Sequence, residues 1–587
     1  MTLRRAALAL VCALALAPAR PAHADDSSKR WRTIETEHFH IVYYVYPDGS
    51  GEEAVAQRLA VVAEQGHALL VRYLGPGLSK RRKTWVVITD DTDDFNGSAT
   101  VNPYPLVRLY ATSPPDRAEL NDYDDWLRGL FLHEYTHILH LGTIRGWCAP
   151  IINAILGWGL GISYAPNQAQ PRFIIEGMAV YEESARSSGG RLRNSIWDMY
   201  LRAQTLEGRF QRMDQFSNSP IQFPDANAPY LYGSELIRYV AEKYGDDALL
   251  RYSLDYGAAN PICIPFAINR SLRHALTLNS ALEHVIGKTW TEVYADFKRD
   301  MQARYGAQRD AIAKRGITLA RVLLPSWRSL SRPAVTPDGR AALVWDDDGY
   351  HRVKLRRVDL ATGKKHTELS DPRFIAAGGP SLSADGRWLA FHAAQIWNTF
   401  YYYNDVYLFD RSTGKVERLT DGLRATNPAL SPDGRLVAME VNRATARGLG
   451  LYDRQSRKLD MLIPARGFEQ VYTPTFSPDG KTLAFSWWHE GGFRDIWLMD
   501  LASRKLTRVT ADRALDLEPR FSADGRWLYF TSDRTKVYNL YAYELSTKKL
   551  YQATNVVDGV FDPAVSPDGK KVAFVGFHAE GYDFEVA

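Results

Sequence analysis

A chain of 587 residues is too long for a single hydrophobic core, so two or three domains are expected. Hydrophobic residues at 45% and charged residues at 24% exclude an intrinsically disordered chain, and aromatics at 12% suit a protein rich in strands. A net charge of +4 with no long basic run excludes nucleic acid as a partner, and Lys80-Arg81-Arg82-Lys83 reads as a solvated loop before a strand.

Residues 1–24 read as a secretory signal. Arg4 and Arg5 precede the apolar stretch Ala6 to Ala17, and Ala22-His23-Ala24 puts small residues where a signal peptidase cuts, ahead of Asp25. The stretch is too short for a permanent anchor. Cys12 lacks the small residues that a lipoprotein signal carries before its cysteine. The mature chain is expected to be exported, to the periplasm or the cell surface. There Cys148 and Cys263 either pair or remain separately buried thiols.

Residues 25–315 read as an α+β domain. Strands are predicted over Phe39–Tyr46 and Thr84–Thr89, with a helix over Glu52–Leu74. Asn96 to Asn102 is either an edge strand able to pair with an extended substrate or a plain loop. Further helices are predicted over Trp126–Leu141, Arg172–Ser184, Leu231–Tyr244 and Thr289–Tyr305.

The chemistry concentrates in His133-Glu-Tyr-Thr-His137. Apolar spacing in the preceding residues makes this a helix, so both imidazoles leave one face one turn apart and can share a Zn²⁺ ion. Glu134 then faces the water as general base. In Phe173-Ile-Ile-Glu176-Gly-Met-Ala, Glu176 offers a third ligand, and Gly177 and Ala179 let two helices approach closely. His140 is the rival third ligand, although three ligands from one straight helix converge poorly on a tetrahedral ion. Peptide hydrolysis also needs an oxyanion donor, for which Tyr232 is the expected residue and Tyr230 the alternate. Residues 150–166 are apolar with interspersed glycines. They read as a hood over the cleft, as a surface in peripheral contact with membrane, or as a buried hairpin.

From Gly316 onward the sequence repeats. Thr336-Pro-Asp-Gly339, Ser383-Ala-Asp-Gly386, Ser431-Pro-Asp-Gly434, Ser477-Pro-Asp-Gly480, Ser522-Ala-Asp-Gly525 and Ser566-Pro-Asp-Gly569 are spaced by 47, 48, 46, 45 and 44 residues. That period, with several short strands per unit, predicts an all-β six-bladed propeller over 316–587. Asp-Gly is expected to supply the positive φ of each turn. The sixth unit stops one strand short at Ala587. Either Ile317 to Leu324 supplies the missing outer strand, or the chain is a copy of a longer one cut short.

These repeats resemble the TolB-like propeller repeats of bacterial envelope proteins. Trp31 to Tyr305 resembles the peptidase MA-like branch of the gluzincins, the thermolysin-like zinc peptidases. The matching stretches are His133-Glu-Tyr-Thr-His-Ile-Leu-His140, Ile175-Glu-Gly-Met-Ala-Val-Tyr181 and Tyr230-Leu-Tyr-Gly-Ser234. The resemblance implies one Zn²⁺ per chain on His133, His137 and Glu176, with Glu134 as base. The implied activity is hydrolysis of a peptide or protein substrate by zinc-activated water, with the propeller gating substrate or binding an envelope partner. The 39 positions from His137 to Glu176 exceed the compact gluzincin spacing, so an insertion is expected between them. Two other functions fit the same sequence: a non-catalytic envelope scaffold with a vestigial metal site, and a zinc hydrolase of a non-peptide amide. A scaffold has no need of Glu134.

Overall fold

Alternation in Phe39-His-Ile-Val-Tyr-Tyr-Val buries Phe39, Ile41, Tyr43 and Val45 on one face, which makes this stretch a strand with a core side. In the structure, a computed structural model, it is the second of five strands in an N-terminal sheet. The described residues are 25–587 except 78–81, 118–124, 146–149, 153, 156–164, 219, 259–276, 326–328, 331, 375 and 490–492. The signal, Cys148, Cys263 and most of 150–166 lie outside them.

Strands β1 (Arg30–Glu35), β2 (Phe39–Val45), β3 (Thr84–Thr89), β4 (Gly97–Thr100) and β5 (Leu106–Tyr110) run in the spatial order β1-β2-β3-β5-β4. The inner pairs β2–β3 and β3–β5 are parallel, whereas β4 is antiparallel to β5 and forms the sheet edge. Helix α1 (Glu53–Leu74) buries Val55, Leu59, Val62, Leu70 and Leu74, an apolar stripe at helical spacing. Helix α2 (Trp126–Leu141) is buried along almost its whole length. The Asp125 side chain caps it by accepting from Leu127 N–H. The helical half continues with α3 (Arg172–Ala185), α4 (Ser195–Leu206), α5 (Ala228–Tyr244), α6 (Asp247–Tyr256), α7 (Leu278–Ile286) and α8 (Trp290–Ala313).

The C-terminal region is many-stranded and almost wholly antiparallel, with five successive sheets, of which the eight-stranded third spans the third and fourth repeats through one parallel bridge, Arg447 to Gln470. Each repeat turn works alike. In the third, Ser431 Oγ donates to Asp433 and accepts from Leu436 N–H, and Asp433 accepts from Arg435 N–H. Only the glycine takes positive φ, at 70° for Gly434, so the aspartate acts as an acceptor and not as a left-handed residue. The last sheet is completed by β6 (Arg321–Pro325), which pairs antiparallel with Gly581–Val586 and sets Leu324 opposite Phe584. The outer strand of the sixth repeat's sheet thus comes from the segment ahead of the first repeat.

The two regions share one apolar core and a polar seam. Arg424 is 5% exposed and donates to Asp90 and Asp93, both at 2.7 Å. After β5 the chain crosses the mouth of the propeller. Ser113 accepts from Arg447, the Pro114 carbonyl from Tyr472, and Asp116 pairs with Arg494. Arg117 pairs with Asp562 at 3.0 Å and donates to the Leu330 carbonyl. Four residues of one loop therefore reach the third, fourth and sixth blades.

The closure is testable with two truncations on one strand. Leu324 is fully buried and Val322 is 45% exposed. Leu324→Ala is expected to cost about 2–5 kcal/mol, and Val322→Ala within about 0.5 kcal/mol. Equal effects in thermal unfolding would contradict the pairing.

Candidate metal centre

His133 and His137 leave the same face of α2, their rings edge to face with centroids 4.9 Å apart. Helix α3 sets Glu176 against them, with Oε2 3.2 Å from His137 Nε2 and 3.6 Å from His133 Nε2. One donor atom from each of the three lies within 4.8 Å of the others. Glu176 Oε2 is buried and accepts no hydrogen bond. Arg172 approaches the other oxygen, Oε1, at 3.6 Å. His140 is buried outside this group. Burial and the neighbouring His137 push it down to about 3, so it stays neutral.

Gly177 places α3, though not by the contact expected from sequence. A Cβ on Gly177 would lie 2.5 Å from the Gly233 carbonyl carbon, and one on Gly233 would lie 2.0 Å from the Phe173 carbonyl oxygen. The close crossing is therefore between α3 and α5, backbone on backbone. The HExxH helix packs against the other side of α3.

Glu183 lies seven residues after Glu176, two turns along the same helix. Its Oε2 is 2.9 Å from His133 Nδ1, and its two oxygens also take Arg191 Nε and Nη2 at 2.9 and 2.7 Å. Burial and the Arg191 charge push His133 down, but the Glu176 and Glu183 carboxylates overcome both and hold it at about 9. Burial would raise Glu183, yet Arg191 and His133 keep it near 2. For Glu176 the two histidines likewise outweigh burial and hold the carboxyl below its usual range. The site is thus a compact set of alternating charges with both faces of His133 occupied by carboxylate.

Glu134 is 5% exposed, and burial raises its pKa against the pull of the two histidines. Strand β4 runs beside it. A Cβ on Gly97 would come within 2.8 Å of Glu134 Oε1, so only glycine lets this edge strand pass the carboxylate.

Tyr232 is not at the site. Its hydroxyl donates to Gln204 and accepts from Gln211 N–H, and its ring stacks on Phe216 with centroids 4.8 Å apart. Tyr230, two residues earlier and so about 200° around the helix, faces the opposite way. Its ring stacks over His133 at 6.1 Å, and its hydroxyl accepts from Arg172 at 3.3 Å. Helical phase decides between the two tyrosines, and the start of α5 at Ala228 sets that phase. Sequence reasoning also missed Glu183 and Arg191, and although it singled out Asn96 to Asn102 as a candidate edge strand it did not set Gly97 against Glu134. The seven-residue step from Glu176 was a visible signal for Glu183. For Arg191 there was none, because it arrives from a short turn that only folding brings near.

Comparison with known proteins places the C-terminal region. A model of the TolB beta propeller domain matches residues 465–587. An uncharacterized protein of Agrobacterium fabrum is 27% identical over 239 residues, 40% of this chain and 77% of its own length. The uncharacterized peptidase YuxL of Bacillus subtilis is 28% identical over 228 residues, 35% of this chain and 30% of YuxL. The Tol-Pal system protein TolB of Francisella tularensis is 30% identical over 167 residues, 27% of this chain and 37% of TolB. The chain therefore spans less than two-fifths of the last two. The solved TolB of Acinetobacter baumannii aligns at 18% identity over 49% of this chain and 69% of its own, with a TM-score of 0.34. The C-terminal region is a TolB-like β-propeller, joined to an N-terminal α+β region.

Gly233→Ala tests the helix crossing. A methyl group cannot enter without separating α3 from α5, so a loss of about 3 kcal/mol or more is expected in thermal unfolding. Gly208→Ala, where the added carbon meets nothing within 4 Å, serves as comparison and should cost less despite its positive φ.

Proposed function

We propose that this protein is an exported zinc-dependent metallopeptidase. The observation that carries the reading is the convergence of His133 Nε2, His137 Nε2 and Glu176 Oε2, with the Glu134 carboxylate beside them and, alongside, a sheet edge that no other strand pairs with among the described residues. Two imidazoles and one carboxylate form the ligand set of catalytic zinc sites, which keep a position open. The buried Glu176 Oε2, without a hydrogen bond, fits a ligand atom. With its Nδ1 hydrogen directed to Glu183, His133 would bind a metal through Nε2, the metal displacing the Nε2 proton that the flanking carboxylates otherwise favour.

Zinc at this position supplies Lewis acidity. The remaining work falls to the chain. Glu134 takes the proton of the attacking water and returns it to the leaving nitrogen, a role its raised pKa favours. Tyr230 stays protonated, because burial and Glu176 push it up to about 12, and it donates to the developing oxyanion. The free edge of β4 pairs with an extended peptide and draws it past Glu134. Arg191 fixes Glu183, which fixes the His133 ring. Among the described residues no helix is long and apolar enough to cross a membrane. The names of YuxL and TolB bring hydrolase and envelope roles to mind, but over minor parts of those proteins.

The purified mature protein is expected to hold one zinc per chain, and His133→Ala, His137→Ala or Glu176→Ala to lose it. Full zinc in Glu176→Ala together with loss in His140→Ala would overturn the ligand set. Glu134→Gln is expected to keep zinc and lose at least about 10²-fold in peptide hydrolysis, measured on a fluorogenic peptide library.

Tyr230→Phe is expected to lower kcat by roughly 10²-fold with little change in KM. Tyr232→Phe should leave kcat within a few-fold and instead cost about 1–2 kcal/mol of stability.

A further inference from the structure

The six innermost strands of the propeller carry proline in register, at Pro333, Pro380, Pro428, Pro474, Pro519 and Pro563. The residues just after these prolines form a ring around the channel: Ala334, Ser381, Ala429, Thr475, Arg520 and Ala564. Five are small, and one is a cation. The small residues leave a cavity of about 440 Å³, walled by all six blades, in which Arg520 is the sole charged lining residue. Among the described residues the Arg520 side chain makes no hydrogen bond or ion pair, while its backbone pairs with Tyr529 in the ladder.

The residues just before the prolines form the layer beneath. Arg332 there is 5% exposed, its Nε donates no hydrogen bond, and its nearest carboxylate, Asp562, is 3.8 Å away. Asp562 and Glu518 share that layer but face Arg117, which enters from the other side at 3.0 and 3.9 Å. Three guanidinium groups thus meet two carboxylates, and one positive charge is left over beside the cavity. Burial and the Arg332 charge lower the Arg520 pKa, as expected for a cation without its counter-ion.

The channel is a blind tube. Ser113, Pro114 and Asp116 are buried in its mouth on the side of the α+β region. Among the described residues that mouth is filled, so a ligand enters from the opposite face and its leading end is the group that reaches Arg520. The walls beyond Arg520 are mostly apolar, with Pro337, Ala384, Pro432, Pro478, Ala523 and Pro567 among them, and the hydroxyls of Ser383, Ser477 and Ser522 are engaged by the aspartates of their own turns. A chain end that is anionic at its tip and apolar behind it meets both demands, and an extended peptide entering by its C-terminus has that form.

We propose that the outer end of the propeller channel is a binding site for the C-terminal carboxylate of an apolar peptide tail, seated on Arg520 and Arg332. The site is independent of the metal centre and lies on the other face of the propeller. Calorimetric titration of the full-length mature chain, carrying Glu134→Gln to prevent hydrolysis, tests it. The probes are acetyl-Ala-Val-Leu as free acid, the same peptide amidated, and acetate or inorganic phosphate alone.

The acid is expected to bind at least about 10-fold tighter than the amide. Arg520→Gln should abolish the difference. Ala564→Leu, which fills the channel without touching a charge, should block binding while thermal unfolding shows a folded chain. Equal binding of acid and amide, no binding at millimolar peptide, or undiminished binding by either variant would overturn the proposal. So would acetate or phosphate competing at equal concentration, because the site would then hold any anion.

Discussion

The burial of a charged loop in the mouth of the propeller is the constraint on which the rest of the molecule depends. Asp90 and Asp93, just before the β4–β5 hairpin, clasp Arg424, and Ser113 to Arg117, just after it, reach Arg447, Tyr472, Arg494 and Asp562. Breaking one side of such a buried pair leaves an uncompensated charge, at about 3–5 kcal/mol. Both ends of the hairpin are therefore fixed to the propeller. The hairpin carries the edge strand that passes Glu134. The propeller is in this sense part of the wall of the cleft beside Glu134, the candidate metal site.

The same loop gives the channel its asymmetry. Arg117 engages the two carboxylates that would otherwise balance Arg332 and Arg520, which leaves one positive charge in excess, and its neighbours close one end of the tube. A channel that a free propeller would leave open at both mouths becomes a pocket with a cationic floor. Local charge here is set by the docking of the two regions, since neither one carries the imbalance alone.

At the candidate metal centre, packing and electrostatics divide the work. Gly177 and Gly233 bring α3 and α5 into backbone contact. Interior packing tolerates few voids, so such a contact fixes helix positions tightly. The chain Arg191–Glu183–His133 then orients one imidazole through its second nitrogen, while Arg172 approaches Oε1 of Glu176, the oxygen turned away from the histidines. Four buried ionisable groups can coexist because each charge has an opposite neighbour within hydrogen-bonding or ion-pair distance.

Much was legible in the sequence. The HExxH spacing, the helices around it and the six turn motifs follow from local periodicity and turn chemistry, which need no knowledge of distant residues. The incomplete sixth repeat pointed to its own partner, because an open sheet edge is costly wherever it lies. Other features could not be read. The choice between Tyr230 and Tyr232 rests on helical phase, and the approach of Gly177 to Gly233 in place of the HExxH helix rests on which helices cross. Arg191 beside His133, Gly97 beside Glu134, and the unbalanced charge of Arg520 arise between segments tens to hundreds of residues apart. Sequence by itself determined which side chains are present and how each turn, strand and helix forms. Tertiary structure decided which of them meet, because burial and pairing of charge are properties of neighbours in space.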